Sequence, residues 1–237
     1  MTAAPAEEVA GDLLRATGQI EPPARIDRVV ALLPGLNVSV EPLDNDGYII
    51  DVPGGAEIIV NARASLVRQR FTLAHELGHY ALQVGLGDST PLSRHSDIER
   101  WCDRFAVGLL LPAAWVKRFV EGVPTTKLAS QISRGPRLFQ VSRLAFWSRV
   151  HEVARIWAFE LADDGSLASD VRPAPPTEVL RLAQSCADRA SSRSSSSLSA
   201  YGLRASCIRV SAGHPAGERS FAVVAPETPR FQASLRA

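Results

Sequence analysis

The stretch RFTLAHELGHYAL, residues 70–82, decides both the fold and the chemistry that the sequence predicts. His75 and His79 are four positions apart, and residues at that spacing lie on one face of an α-helix. Two imidazoles on one face can bind a single zinc ion, for which imidazole nitrogen is a preferred ligand. Glu76 directly follows the first histidine, and from there a carboxylate can take a proton from an attacking water without binding the ion.

Two histidines and a glutamate in a helix can also be ordinary core or surface residues. The neighbouring positions argue against this, because apolar residues surround the helix predicted over about residues 66–84 on nearly all sides. They form two stripes, Phe71, Ala74, Gly78 and Ala81, and Leu73, Leu77, Tyr80 and Val84. A helix of this pattern is expected to be buried, and burying three polar side chains costs free energy unless a metal or other partners satisfy them.

A catalytic zinc site needs a third protein ligand and an open fourth position. The favoured candidate is Glu99, in HSDIERWCDRFAVGLLLP (residues 95–112), where a helix is predicted over about residues 97–111. Asp103 lies one turn further on and can orient a ligand histidine through a hydrogen bond. Both carboxylates flank the apolar stripe of this helix, which consists of Ile98, Cys102, Phe105 and Leu109.

Glu99 has a second interpretation, because Ser96 and Glu99 have the spacing of a helix capping box. If Glu99 caps the helix, Asp97 and His95 are the remaining candidate ligands. His95 and Tyr80 are also candidate donors to an oxyanion, through proximity in sequence alone. Tyr80 fits a core position better, and His95 fits a loop.

The composition is that of an ordinary globular protein, with 237 residues, 46% hydrophobic, 22% charged and a formal net charge of +1. It gives no overall indication of nucleic-acid or membrane binding. The charge is uneven, since residues 1–60 hold 10 acidic and 3 basic side chains, and residues 61–237 hold 15 and 23. Two solvated surfaces of different sign explain this most simply, and a basic half that meets DNA or an acidic partner is the alternative.

Three features predict a cytoplasmic protein without a membrane span. The N-terminal residues lack the basic and apolar regions of a secretory signal, and the longest apolar run, residues 105–116, is too short to span a bilayer and contains Pro112. Cysteines are few and odd in number, which fits a reducing compartment. Their spacing predicts no metal-type or redox-type pair among Cys102, Cys186 and Cys207.

The remaining pattern predicts an α+β protein. Helical periodicity extends over residues 5–16, 24–33, 112–120, 124–153 and 176–190. Strands are predicted for NVSVEP, GYIIDV and AEIIVN (37–42, 47–52 and 56–61), which suggest a small antiparallel sheet, and for segments within 154–165, 203–210 and 219–225. The serine-rich stretch 191–199 is predicted to be a flexible linker. We expect a metal-binding domain over residues 1–123, a helical segment over 124–153 and a small α+β module over 154–237.

The two metal-site segments resemble the main motifs of the ImmA/IrrE family of metallo-endopeptidases. They are RQRFTLAHELGHYAL (68–82) and ERWCDRFAVGLLLP (99–112), in the family's order, and EIIVNARASLVRQR (57–70) is also similar. The resemblance covers roughly residues 20–150. It implies a zincin-like fold with a short sheet against the active-site helix, zinc bound by His75, His79 and Glu99, and Glu76 as the catalytic acid/base. Where the family usually has Ala and Asn, this chain has Cys102 and Asp103, and aspartate keeps the acceptor role.

The resemblance also implies a protein substrate, typically a helix-turn-helix transcriptional repressor whose cleavage releases stress-response or mobile-element genes. The family's edge strand corresponds to AEIIVN (56–61), which would offer unpaired backbone groups to an extended substrate. Residues 126–150 resemble a helix-turn-helix, but the long gap between its two pieces favours a supporting helical pair over DNA binding. Residues 154–237 correspond in place to the sensor-like domain of some relatives.

Three hypotheses follow from these patterns. The leading one is a cytoplasmic zinc endopeptidase that acts on a regulatory protein. The alternative is a transcription regulator or partner-binding protein that keeps a zincin scaffold without cleaving. A third is an antitoxin-like or sensor protein that is held with a partner.

Overall fold

The computed structural model describes residues 6–86, 94–162, 164–168, 173–190, 195–200, 202–210 and 219–226. It confirms the α+β class. The chain divides into two compact units, one of residues 1–115 with 137–142 and the other of residues 116–136 with 143–237. The division into domains over 1–123, 124–153 and 154–237 stays a prediction.

The first unit combines helices with a short sheet, and its elements agree with the predicted ones to within a few residues. Its helices are α1 (Ala6–Ala16), α2 (Ile26–Val30), α3 (Leu66–Gln83) and α4 (His95–Leu110). Its strands are β1 (Leu36–Glu41), β2 (Gly47–Val52) and β3 (Gly55–Asn61). Helices α5 (Ala113–Val120) and α6 (Thr125–Phe139) follow along the chain.

The three strands form a mixed sheet in the order β1-β3-β2. Strand β2 pairs antiparallel with β3, whereas β1 pairs parallel with it. The prediction of a purely antiparallel sheet is therefore wrong for β1. The prediction that residues 56–61 form the edge strand is also wrong, because β3 is the central strand of the sheet. The apolar side chains of β3 are consistent with this position. Ile58 and Val60 are 0% and 2% exposed, and flanking strands on either side of β3 help to cover them.

Glycines allow close packing around α3 and α4. A Cβ atom on Gly78 of α3 would lie 3.0 Å from Cα of Cys102 in α4, so the two helix backbones approach closely at this point. A Cβ on Gly47, at the start of β2, would lie 2.7 Å from the side chain of Thr72 in α3. Contacts of this kind place α3 between the sheet and α4.

The second unit contains a four-stranded antiparallel sheet in the order β4-β7-β6-β5. The strands are β4 (Trp157–Leu161), β5 (Ser195–Ala200), β6 (Leu203–Val210) and β7 (Arg219–Pro226), and the helices are α7 (Arg143–Ala154) and α8 (Thr177–Ala190). Helix α8 packs on the sheet through Val179, Leu182, Ala183 and Cys186, which recur at helical spacing.

The predicted linker 191–199 is partly wrong, because residues 195–199 lie in strand β5. Composition alone indicated flexibility there. Antiparallel pairing with β6, the next strand along the chain, gives the backbone groups of this serine-rich segment a partner that its composition does not indicate. Residues 191–194 lie outside the described residues. Among the helices that the structure describes, none is long and apolar enough to cross a membrane.

Candidate metal centre

Helix α3 is buried on one side and open on the other. Ala74, Leu77 and Ala81 are completely buried, whereas the side chains of His75 and His79 are 15% and 24% exposed. Val84, predicted to be buried, is 47% exposed because it lies just beyond the end of the helix. The helix is therefore not buried on nearly all sides, and its two histidines lie where a substrate in solution can reach them.

Three side chains bring their donor atoms together on this open face. Nε2 of His75 lies 3.2 Å from Nε2 of His79, and these nitrogens lie 3.2 and 3.4 Å from the two carboxylate oxygens of Glu99. His75, His79 and Glu99 form the only group of three or more potential metal-binding side chains found among the described residues. The histidines come from one face of α3 and the carboxylate from the first turns of α4.

The spacing of these donors matches a tetrahedral metal site. A tetrahedral ion bound at about 2.0–2.2 Å to nitrogen and oxygen separates its donors by about 3.3–3.6 Å. The observed separations of 3.2–3.4 Å lie within or about 0.1 Å below the short end of this range. Two imidazole nitrogens and a carboxylate are also the chemical donor set that such an ion prefers. The residues present therefore fit a divalent metal ion with one position left for water or substrate.

Asp103 orients the first histidine. Its Oδ1 lies 3.0 Å from Nδ1 of His75, so Nδ1–H donates to the carboxylate and the lone pair of Nε2 faces His79 and Glu99. Asp103 and Glu99 are one helical turn apart on α4. A single helix therefore supplies both the third donor and the group that fixes the tautomer of the first.

The structure separates the alternative site residues from the favoured ones. Helix α4 begins after Arg94, so Ser96 lies inside the helix, and the capping-box interpretation of Glu99 is wrong. Asp97 forms an ion pair with Arg100 and is not part of the group formed by His75, His79 and Glu99. Tyr80 is buried, and its hydroxyl donates to the carbonyl oxygen of Pro34 over 2.8 Å, which commits it to the core and removes it as an oxyanion donor.

His95 stays close to the cluster. Its side chain is 88% exposed, and its Nε2 lies 3.8 Å from a carboxylate oxygen of Glu99. This distance is longer than a hydrogen bond, so the structure places His95 at the rim and not in the donor set. His95 is the first residue of α4 and does not lie in a loop.

Burial tunes the protonation of two groups. Burial raises the pKa of the Glu76 carboxyl above its usual range, and the nearby charge of Glu99 raises it further against the opposing effect of His75. Burial also lowers the pKa of His79, which favours the neutral imidazole that a metal ion requires. The side chain of Glu76 is half-buried and directly follows His75 on α3, which places its carboxylate beside the donor cluster.

Strand β2 runs beside the histidine face of α3. Gln83 follows His79 by one turn, and its side-chain amide donates to Asp51 near the end of β2. At the other end of the helix Arg68 pairs with Asp46, directly before β2. Because side chains of α3 contact residues at or next to both ends of β2, the strand runs alongside the part of the helix that holds the two histidines. Among the described strands, none pairs with the outer edge of β2.

Sequence reasoning missed what β2 and Gly78 contribute. The edge position of β2 depends on pairing between distant strands, which no local pattern reveals. In the sequence, Gly78 counts only as part of an apolar stripe. Its position next to His79 is a signal that another backbone packs closely against the helix there. The absence of a side chain there allows α4 to approach α3 closely enough for Glu99 to reach both histidines.

Comparisons with known proteins agree with this centre. Residues 35–150 match the family model Peptidase_M78, described as an IrrE N-terminal-like domain. The "Radiation response metalloprotease IrrE" of Deinococcus radiodurans is 32% identical over 117 residues, which is 45% of this chain and 34% of the relative. The match thus spans about a third of that relative's length.

A solved structure of a Mycobacterium tuberculosis transcriptional regulator is similar in fold. It shares 12% identity with a TM-score of 0.50, over 93% of this chain and 76% of the other. At that identity the likeness concerns the fold alone. The motifs, the metal-site geometry and the family model converge on one conclusion. Residues 35–150 match an IrrE N-terminal-like domain, which supports a relationship of the chain to the ImmA/IrrE family.

Proposed function

We propose that the chain is a zinc-dependent endopeptidase that cleaves a regulatory protein. The observation that carries this proposal is that donor atoms of His75, His79 and Glu99 lie within 3.4 Å of one another. Glu76 lies on α3, the helix that contains both histidines. When bound, zinc supplies a Lewis acid that makes water a nucleophile at neutral pH and polarises a peptide carbonyl. Zinc is favoured over other ions by the mixed imidazole and carboxylate donors and by their tetrahedral spacing.

Each protein group has a distinct part in this mechanism. His75, His79 and Glu99 hold the ion, and Asp103 keeps His75 in the tautomer that binds it. Glu76 takes a proton from the attacking water and passes it to the leaving amine. Its raised pKa suits both roles, because the carboxylate is a stronger base than usual and its protonated form persists nearer to neutral pH.

The outer edge of β2 is the proposed docking place for an extended substrate. The backbone N–H of Asn61 donates to the carbonyl of Asp46, which identifies residues 46 and 61 as a hydrogen-bonded pair of the ladder. Because such pairs alternate along antiparallel strands, the backbone groups of Gly47, Ile49 and Asp51 point outward. A substrate strand that pairs with them would lie in front of the histidine face.

The proposed substrate is a helix-turn-helix transcriptional repressor, and its cleavage would release stress-response or mobile-element genes. The family resemblance supports this, and so does the name of the Deinococcus relative, which refers to a radiation response. A DNA-binding repressor is a cytoplasmic substrate in a bacterium, which places the proposed activity in the cytoplasm.

Co-expression tests the proposal directly. The chain is produced together with the product of a neighbouring gene that encodes a small helix-turn-helix protein, and fragments are identified by mass spectrometry. We expect a fragment with the native chain and a loss of about 10²- to 10⁴-fold in its rate of formation with Glu76→Gln. The variant should retain its metal. Glu8→Gln, an exposed glutamate of α1, is the matched control and should cleave normally.

The proposal fails if Glu76→Gln cleaves as fast as the native chain. It also fails if metal-loaded protein produces no fragment from any neighbouring helix-turn-helix protein.

The alternative, a non-catalytic transcription regulator, has weaker support from the second unit. Arg149, in the middle of α7, is 3% exposed and pairs with Glu152, and Arg143 pairs with Glu160 of β4. These guanidinium groups are engaged within the protein, whereas a DNA-reading helix needs cations directed at the groove. DNA binding stays a prediction. Tight, salt-dependent binding that Glu76→Gln leaves unchanged would favour this alternative.

A further inference from the structure

The second unit contains a pair of buried cysteines that sequence spacing did not predict. Cys186 lies in α8 and Cys207 in β6, and both are completely buried in the core between the helix and the sheet. Cys186 Sγ lies 3.1 Å from the hydroxyl of Ser196, which is the cross-strand partner of Cys207, and Cys207 Sγ lies 3.6 Å from the carbonyl oxygen of Ala183, about one turn before Cys186. This geometry makes the two side chains neighbours. Neither is in a disulfide. Neighbouring thiols on a helix and the strand packed against it have the arrangement that a disulfide requires.

The surroundings distinguish the two sulfurs. Cys186 Sγ lies 3.1 Å from the hydroxyl oxygen of Ser196 and donates to the carbonyl oxygen of Ser196 over 3.5 Å, and the hydroxyl of Ser196 donates to the carbonyl oxygen of Cys186. The neighbouring thiol of Cys207 lowers the pKa of Cys186 against the opposing effect of burial, and Ser196 and the charge of Arg189 add to the lowering. Cys207 donates to the carbonyl of Ala183 over 3.6 Å, and its pKa is raised by the contact with Cys186 and by burial.

We propose that Cys186 and Cys207 form a peroxide-sensitive dithiol that closes to a disulfide between α8 and β6. This site is independent of the proposed peptidase activity. The sulfur of Cys186 attacks one oxygen of hydrogen peroxide, the O–O bond breaks, and a sulfenic acid and one water form. The sulfur of Cys207 then attacks that of Cys186, the S–O bond breaks, and a second water leaves with the thiol proton. One peroxide thereby oxidises two thiols to one disulfide.

Access for peroxide is provided by strand β5. It is the edge strand that covers Cys186 through Ser196, and four of its six residues are serines. Leu198 is the only large apolar side chain in this strand, and it is half-buried. An edge strand with so little apolar burial opens locally at low cost, and opening exposes Cys186 to small oxidants.

Thiol mapping of the full metal-loaded chain tests the proposal. The protein is treated with hydrogen peroxide, denatured, alkylated and digested with trypsin, which places Cys186 in residues 182–189, Cys207 in 205–209 and Cys102 in 101–104. We expect the first two peptides to be joined by a dithiothreitol-sensitive bond. Their free thiols should disappear at least about tenfold faster than that of Cys102, a buried cysteine whose pKa is raised to about 12.

Variants separate the two sulfurs. In Cys207→Ser, Cys186 has no thiol to react with, so we expect it to accumulate sulfinic acid instead of a disulfide. Ser196→Ala should slow disulfide formation, whereas its neighbour Ser197→Ala should not. The proposal is overturned if Cys186 and Cys207 in the native chain stay as alkylatable as Cys102, or if Cys186 is over-oxidised while Cys207 remains a free thiol.

Discussion

Asp103 Oδ1 lies 3.0 Å from Nδ1 of His75, and this hydrogen bond sets which nitrogen of the histidine faces the metal centre. Removing the carboxylate should allow the ring to rotate or to change tautomer. We expect Asp103→Ala to lower zinc affinity about 10- to 100-fold, as measured by competition with a chromophoric chelator. Asp103→Asn should lose much less, because its amide oxygen can still accept the bond.

Asp97→Ala is the matched control, since Asp97 lies on the same helix but pairs with Arg100. Its zinc affinity should equal that of the native chain. Equal affinities of Asp103→Ala and Asp97→Ala would show that Asp103 does not orient His75.

Gly78 permits the close approach of α3 and α4. The added methyl group of Gly78→Ala would lie 3.0 Å from Cα of Cys102, and a backbone atom cannot move aside as a flexible side chain can. We expect a loss of about 1–3 kcal/mol in the free energy of unfolding, together with weaker zinc binding because Glu99 moves with α4.

Gly11→Ala is the comparison for this variant. Its methyl group would meet only the end of the Arg15 side chain, and helical Gly→Ala changes otherwise stabilise a helix by about 0.5–1 kcal/mol. Urea unfolding of the two variants measures the difference. A Gly78→Ala protein as stable as Gly11→Ala would mean that the helix spacing is not limited by this contact.

Strand β2 offers outward backbone groups at Asp51. The change Asp51→Pro removes one outward N–H without interrupting the ladder to β3, and proline is tolerated on edge strands. If a substrate segment pairs there, KM for the protein substrate should rise about 2- to 10-fold, the effect of one hydrogen bond, with little change in kcat. Asp51→Ala keeps the N–H and loses only the contact to Gln83. A KM that rises equally in both variants would argue against strand pairing.

His151 makes the stability of the second unit depend on pH. Burial, with a smaller effect of Arg155, lowers its pKa, and its ring lies against that of Trp157 at a centroid distance of 3.8 Å with an interplanar angle of 38°. The unfolded chain therefore binds a proton more readily than the folded one. Stability is retained above the ordinary histidine pKa of about 6.5 and is lost as the pH falls from there through the lowered pKa.

Replacing the ring removes this proton uptake. We expect the free energy of unfolding of His151→Phe to fall less than that of the native chain between about pH 7 and about pH 5. Denaturant titrations at several pH values give the comparison, with the exposed His95→Gln as the matched histidine change. Parallel pH profiles of His151→Phe and the native chain would contradict the assignment.

Local patterns predicted most of the first unit. The spacing of His75 and His79, the turn residues around β2 and the apolar stripe of α4 each depend on a few neighbouring positions, and the structure has them where the sequence placed them. Zinc needs a third protein ligand, and this requirement favours Glu99 in the sequence over Asp97 and His95. The carboxylate oxygens of Glu99 lie 3.2 and 3.4 Å from the two histidines.

Features that depend on distant contacts were not predictable in the same way. The parallel pairing of β1 with β3 skips the strand between them, and the approach of Cys186 to Cys207 joins α8 to β6. The strand at residues 195–199 pairs with the next strand along the chain, but its serine-rich composition hides it. A single sequence contains no local signal for such partners. The central place of β3 was available as a hint, since Ile58, Ile59 and Val60 form the most apolar of the three predicted strands.

The metal content of purified protein tests the central claim most directly. Native chain, Glu99→Ala and the control Asp97→Ala are purified without chelators, and zinc is quantified by inductively coupled plasma mass spectrometry. We predict about one zinc per chain in the native protein and in Asp97→Ala, and little or none in Glu99→Ala after dialysis. Native protein that holds no zinc even after zinc is added, or Glu99→Ala that retains the full amount, would contradict a metal centre built from His75, His79 and Glu99.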